Sequence, residues 1–192
     1  MRAAACGRAL CLTLLGLPAA RGAEGQTPGL APAHVLSLAL AAPNVLGVTV
    51  TSGGSQSIAS LVDNATNAFP SPVVLQTNWD LNPGQTAQVD LVAYFAVPAQ
   101  ALSGGATQIP SSRVLGRMAS GLPTTYTAVS GGPVAGVGTA GGSLHLFRQA
   151  ISGANKVASR TDNLDLQLNL VGFPTLAVGS YTGTLTIQAV TQ

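Results

Sequence analysis

The sequence predicts an all-β protein: an antiparallel, two-layer β-sandwich that follows a cleaved N-terminal signal. Three observations carry this. Apolar residues recur at every second position in segment after segment. Turns rich in glycine, proline and asparagine separate those segments. Helical periodicity is nearly absent from the 192 residues.

The first segment lies outside the expected fold. Arg2 and Arg8 form a short basic region, and Ala9–Leu17 is an apolar run that Pro18 ends. Ala20-Arg21-Gly22 places small residues where a signal peptidase reads them. Residues 1–22 therefore read as a secretory signal peptide, cut after Gly22 or Ala23. The run is too short for a membrane span, which needs about 20 apolar residues. Residues 23–33, with two prolines and two glycines, read as a flexible leader. Residues 34–192 read as a single β-sandwich domain. The expected location is the periplasm, the extracellular space or the cell surface.

Cleavage changes the charge balance. The whole chain has eight basic and six acidic residues, two cysteines and a net charge of +2. Arg2, Arg8, Arg21, Cys6 and Cys11 leave with the signal, so five basic residues face six acids and the net becomes −1. The charged fraction is 7%, against about 25% in ordinary soluble domains. Few charges among many apolar residues exclude a charge-rich disordered chain. A net −1 excludes a basic nucleic-acid surface, and a chain without cysteine excludes a disulfide scaffold.

The strands follow in order. Leu36, Leu38 and Leu40 alternate with Ser37 and Ala39 inside His34–Ala41. Leu46, Val48 and Val50 alternate with Gly47 and Thr49. Val73, Leu75, Thr77 and Trp79 oppose Val74, Gln76 and Asn78. Val89, Leu91, Ala93, Phe95 and Val97 share one face, with Gln88, Asp90 and Tyr94 opposite. Leu164, Leu166, Leu168 and Leu170 oppose Asn163, Asp165, Gln167 and Asn169. Tyr181, Leu185 and Ile187 oppose Thr182, Thr184, Thr186 and Gln188. Each pattern sets an apolar face on a core and a polar face in water. Weaker strand signals lie near 57–62, 113–118, 124–129 and 143–149. Helical turns fit only within 57–68 or 99–102. Asn82-Pro83-Gly84, Ser103-Gly104-Gly105 and the Gly-rich stretch 130–142 read as loops. Eight to ten short antiparallel strands in one domain make an immunoglobulin-like sandwich the simplest architecture, with a barrel as the other closure.

Reactive chemistry finds little support. Gly136, Gly138 and Gly141 match a dinucleotide fingerprint, but that motif needs a following helix and here a strand pattern follows. His34 and His145 are the only histidines, and a zinc site needs three or four ligands. No Gly-x-Ser-x-Gly elbow is present. Asp162 and Asp165 point to opposite faces of a strand and read as solvated strand residues, with a calcium loop around Asn163 as the sharper alternative. His145, between Leu144 and Leu146, reads as a solvent-facing strand residue. Arg113 and Arg117 alone do not make a nucleic-acid surface. Asn64-Ala65-Thr66 is an N-glycosylation acceptor sequence. No enzyme activity, metal or cofactor is expected. Trp79, the single tryptophan, reads as a core anchor; a sugar-stacking platform with Tyr94 is the functional alternative.

The segment Gly179-Ser180-Tyr181-Thr182-Gly183-Thr184-Leu185-Thr186-Ile187 resembles the closing strand of chaperone–usher fimbrial subunits and of spore-coat-U-like secreted bacterial proteins. The resemblance covers about the last 30 residues. It implies an immunoglobulin-like sandwich that exchanges strands with a chaperone or a neighbouring subunit. Gly179 stands where pilins often carry glycine. Thr191 replaces the usual penultimate tyrosine, and the mature chain lacks the cysteine pair common in such subunits. The expected function is an exported structural or surface-interaction protein, with a pilin-like assembly subunit as its concrete form. Leu36, Leu38, Leu40, Tyr181, Leu185 and Ile187 are the candidate strand-exchange residues. The expected partner is a second copy or another exported β-sandwich protein, met by strand pairing. A carbohydrate- or surface-binding module using Trp79 and Tyr94 is the alternative.

Overall fold

The computed structural model describes residues 39–40, 45–84, 86–104 and 107–192. These form an all-β protein with antiparallel sheets. The strands are β1 (Ala39–Leu40), β2 (Val45–Ser52), β3 (Thr66–Ala68), β4 (Val73–Asp80), β5 (Gln88–Tyr94) and β6 (Leu102–Gly104). They continue with β7 (Thr107–Ile109), β8 (Val114–Met118), β9 (Thr127–Ala128), β10 (Ser143–Ala150), β11 (Val157–Asn169) and β12 (Thr186–Thr191). Two single 3-10 turns, Pro98–Gln100 and Ser111–Arg113, are the helical elements among the described residues.

The larger sheet has the order β1-β2-β4-β11-β8-β9, with β3 also on β11. Its long member, β11, pairs through Val157–Leu164 with β4 and through Gln167–Asn169 with β3. On its other side it pairs with β8 through Leu164–Leu168. The second sheet has the order β10-β5-β12. A short hairpin joins β6 to β7.

Alternation explains which faces are buried. Val73, Leu75, Thr77 and Trp79 of β4 and Leu164, Leu166 and Leu168 of β11 turn inward. Val89, Leu91 and Ala93 of β5 and Leu144, Leu146 and Phe147 of β10 join them in one hydrophobic cluster. Both sheets thus feed a single core, with β12 lying against β2 and β10 against β8.

Several expectations change. The 57–62 segment forms no strand; the short β3 comes later, at Thr66–Ala68. The β5 strand stops at Tyr94, so Val97 stands 52% exposed instead of facing the core. The leucine-rich strand begins at Val157, seven residues before Leu164, because Arg160 and Asp162 occupy inward positions that the apolar pattern does not mark. Ser103 and Gly104 belong to β6, not to a loop. The closing strand starts at Thr186, not Tyr181. Asp90 lies on the supposed polar face of β5 but has no exposure to solvent. Among the described residues, no helix is long and apolar enough to cross a membrane.

Candidate functional site

The densest polar arrangement lies on the outer face of β5. Residues that alternate with its core side chains fall there: Gln88, Asp90, Val92 and Tyr94. Asp90 and Val92 are both fully buried, so this face is covered. Part of the cover is the Gly-rich stretch before β10. Gly131 pairs with Ser143, and Ser143 Oγ donates to the Thr139 carbonyl at 2.8 Å and accepts from the Thr139 N–H at 2.8 Å. Gly138, at φ 103°, brings the backbone over Val92; a Cβ there would overlap Ser143 Oγ. Only glycine suits both the angle and the space. The strand β10, not a helix, follows this stretch, so the context of a phosphate-binding loop is absent.

A β-bulge builds the charged cluster. His145 and Arg148 are three apart and would face opposite ways on a regular strand. The register of β10 on β5 shifts between His145 and Phe147, leaving Leu146 as the extra residue. Both polar side chains then reach the same carboxylate. His145 Nε2 lies 2.7 Å from Asp90 Oδ1, and Arg148 Nε donates to the same oxygen at 2.8 Å. Gln88 Nε2 donates to Asp90 Oδ2 at 3.3 Å and to Gln192 Oε1 at 2.8 Å. His145 is therefore a half-buried partner of a buried acid, not a freely solvated strand residue. The cluster orients an imidazole and neutralises a buried carboxylate. Among the described residues, no hydroxyl or thiol hydrogen-bonds to His145, and no group of three metal-ligating side chains occurs.

A second cluster lies on the inward face of β11, opposite Thr77 and Leu75 of β4. Arg160 Nε and Nη2 donate to Asp162 Oδ2 and Oδ1 at 2.5 and 2.7 Å. Arg160 Nη2 also donates to the Ser120 carbonyl, and Ser120 Oγ donates to Asp162 Oδ1 at 2.7 Å. The guanidinium lies 4.6 Å over the Phe147 ring. Asp162 is thus a buried ion-pair member on the inner face, not a solvated residue or part of a calcium loop. Asp165 faces outward and accepts from Arg117 Nε at 2.9 Å. That hydrogen bond, with Tyr126 beneath at 4.7 Å, raises the Arg117 guanidinium pKa further. Arg113 donates from Nη1 to the Val171 carbonyl at 2.8 Å and lies over Phe173.

The remaining sequence candidates are scattered. Trp79 is 5% exposed within the core, and its Nε1–H donates to the Asn155 carbonyl at 2.8 Å. A buried indole offers no stacking face. Tyr94 sits on the other sheet, facing outward, with its hydroxyl donating to Gln188 Oε1 at 3.3 Å. The two aromatics do not share a surface. Leu36 and Leu38 lie outside the described residues. Leu40 stands in β1 opposite Leu46. Tyr181 precedes β12, packs beside Gly104 and donates to the Ala177 carbonyl at 2.8 Å. Leu185 is half-buried against the core, and Ile187 pairs with Ala93 inside β12. Asn64 lies exposed in a turn at φ 52°, its Oδ1 accepting from the Gly172 N–H at 2.8 Å.

The charged cluster around Asp90 is what sequence reasoning missed. One signal was present: Leu91-Val92-Ala93 is apolar at both parities, as in a strand buried on both faces. The fold and its sites define an all-β protein of antiparallel sheets in which Arg117, Arg148 and Arg160 pair with Asp165, Asp90 and Asp162 among the described residues. Comparison with protein-family models, with characterised proteins and with solved structures returns no significant match.

Proposed function

We propose that the chain is an exported structural or surface-contact protein, built as an immunoglobulin-like two-layer sandwich, that associates with a second copy or another exported β-protein by strand pairing. The open edge of β12 carries this reading. β12 ends its sheet and has β5 as its strand partner among the described residues. Gln88 and Gln192 exchange both backbone hydrogen bonds, at 3.1 and 3.0 Å. Antiparallel pairs alternate, so Ile187, Ala189 and Thr191 direct their N–H and C=O groups away from β5. The strand reads Thr-Ile-Gln-Ala-Val-Thr, without charge or proline. The chain's one lysine, Lys156, precedes β11. Edges lacking charge and proline are the ones that accept another strand. Support for the sandwich comes from the shared core. Support for export comes from Arg2, Arg8, the apolar run Ala9–Leu17 and the small residues before Ala23.

The test combines export with association. Protein recovered after export is expected to begin at Ala23 or Glu24 and to show concentration-dependent association by light scattering. Ala189→Pro removes an N–H from the open edge while keeping those bonded to β5, and is expected to abolish association with Trp79 still buried. Gln188→Lys is the independent second variant. A monomer at all concentrations, or association by both variants equal to that of the unaltered chain, overturns the reading.

A further inference from the structure

The sheet β10-β5-β12 has two edges, and they differ in what they leave open. The β10 edge is partly used. Gly131 and Ser143 exchange backbone hydrogen bonds at 2.7 and 3.2 Å, and the Leu122 N–H donates to the Leu146 carbonyl at 2.7 Å. A bulge interrupts its register between His145 and Phe147, and Arg148 adds a charge. Bulges and charges are the devices that keep an edge from pairing. The β12 edge carries neither. Its register on β5 runs unbroken from Thr186 to Thr191, and none of those residues is charged.

The open groups of β12 are spaced to fit a second copy of the same strand. Gln88 and Gln192 form a hydrogen-bonded pair, so Ile187, Ala189 and Thr191 face away from β5. Place two β12 strands antiparallel about a two-fold axis at Ala189. Ile187 then meets Thr191 of the second copy, and Ala189 meets its own counterpart. Every open residue faces an open residue; such pairs exchange two bonds each, so the three pairs supply six. Moving the axis to Gln188 or Val190 leaves two such pairs within the strand. Directly opposed residues share one face of a sheet. Ile187 therefore lies beside Thr191 and the small Ala189 beside itself on the core side, with Gln188 beside Val190 on the outer side. No charge opposes a charge anywhere along the seam.

We propose that two copies join through β12 in this register, as a two-fold dimer whose three-stranded sheets fuse into one of six strands. This rests on the association assigned to β12 above and narrows it: the partner is a second copy of this chain, not another protein. A two-fold contact uses the same patch on both copies and closes on itself, so assembly stops at two chains. Pairing β12 with β10 of the next copy would instead leave an edge at each end and grow into a fibre.

Outer-face cysteines read the register in the full chain carrying Cys6→Ser and Cys11→Ser. Gln188→Cys and Val190→Cys are made as separate chains, one with a mass tag, and mixed. Across the proposed seam residue 188 opposes residue 190 in a non-hydrogen-bonded pair, with Cα atoms about 4.5 Å apart, within reach of a disulfide. Like positions are diagonal, about 7–8 Å apart. On mild oxidation the mixed disulfide is expected in at least about tenfold excess over either like-with-like product, because only the mixed pair meets disulfide geometry. Non-reducing electrophoresis and mass mapping measure this, and Trp79 emission confirms folding. Light scattering of the unaltered chain is expected to level off at two chains. Like-with-like disulfides in equal or greater yield place the axis elsewhere and overturn the proposal. Species larger than two chains overturn it too, as does association of the folded variants without any intermolecular disulfide. Those three outcomes all require association, so they leave the broader reading standing; a monomer at every concentration removes both.

Discussion

His145 Nε2 lies 2.7 Å from Asp90 Oδ1, and Asp90 is closed to solvent. A carboxylate in such a place costs several kcal/mol to desolvate. Arg148 supplies the compensating charge, and His145 and Gln88 supply further hydrogen bonds. Arg148→Met and His145→Phe are each expected to cost about 1–3 kcal/mol, the range for hydrogen bonds to charged groups. Each single variant leaves one strong partner behind. The double variant leaves only Gln88, so its cost is expected to exceed the sum of the singles. Urea unfolding of the four proteins measures this, and strict additivity would contradict it.

Thr77 offers the opposite case. Its hydroxyl is buried opposite Arg160, and its Oγ1 has no hydrogen-bond partner among the described residues. Valine keeps the shape and removes the unpaired group. Thr77→Val is expected to leave stability unchanged or to raise it by about 1 kcal/mol. A fall in melting temperature would show that the hydroxyl has a partner.

Two glycines near the C-terminus separate sterics from resemblance. A Cβ on Gly183 would overlap the Ala101 carbonyl oxygen, whereas a Cβ on Gly179 meets nothing within 4 Å. Gly183→Ala must push the segment off β6, where Thr182 exchanges backbone hydrogen bonds with Ser103 at 2.8 and 3.0 Å. The expected cost is about 1–3 kcal/mol, as for other overpacked sites. Gly179→Ala is expected to be near neutral. Thermal unfolding of the pair decides whether the position that matches the fimbrial pattern or the crowded one requires glycine.

Trp79 reports on its own burial. Its indole is enclosed and bonded to the Asn155 carbonyl. Native emission is expected to be blue-shifted and to resist acrylamide, with quenching rising several-fold only on unfolding. Emission that shifts on adding oligosaccharide to the folded protein would restore the stacking reading.

The strands that the sequence reveals are those whose inward positions are all apolar. Leu164, Leu166 and Leu168 mark half of β11, with Leu170 just beyond its end; Arg160 and Asp162 hide the other half, because an ion pair fills inward positions as leucine would. Simple alternation also separates His145 from Arg148. Only the extra residue Leu146 unites them, and a bulge leaves no mark in the hydrophobic pattern. Ser103-Gly104 reads as a loop signal yet lies in β6, where a Cβ on Gly104 would overlap the Ser180 carbonyl oxygen and the Tyr181 ring, neighbours far along the chain. Local periodicity therefore shows where the core lies, while the polar clusters depend on register and long-range neighbours.

The pairing of β11 with β4 has a kinetic consequence. Asp80 meets Val157 and Val73 meets Leu164, partners 77 and 91 positions apart. Tyr94 waits similarly for Thr186, 92 positions later. Each loop must close before its contacts repay the lost chain entropy. High contact order of this kind places folding in the millisecond-to-second range. During that interval β4 and β5, each flanked by two strands in the finished sheets, have edges waiting for late partners, the condition in which aggregation competes with folding.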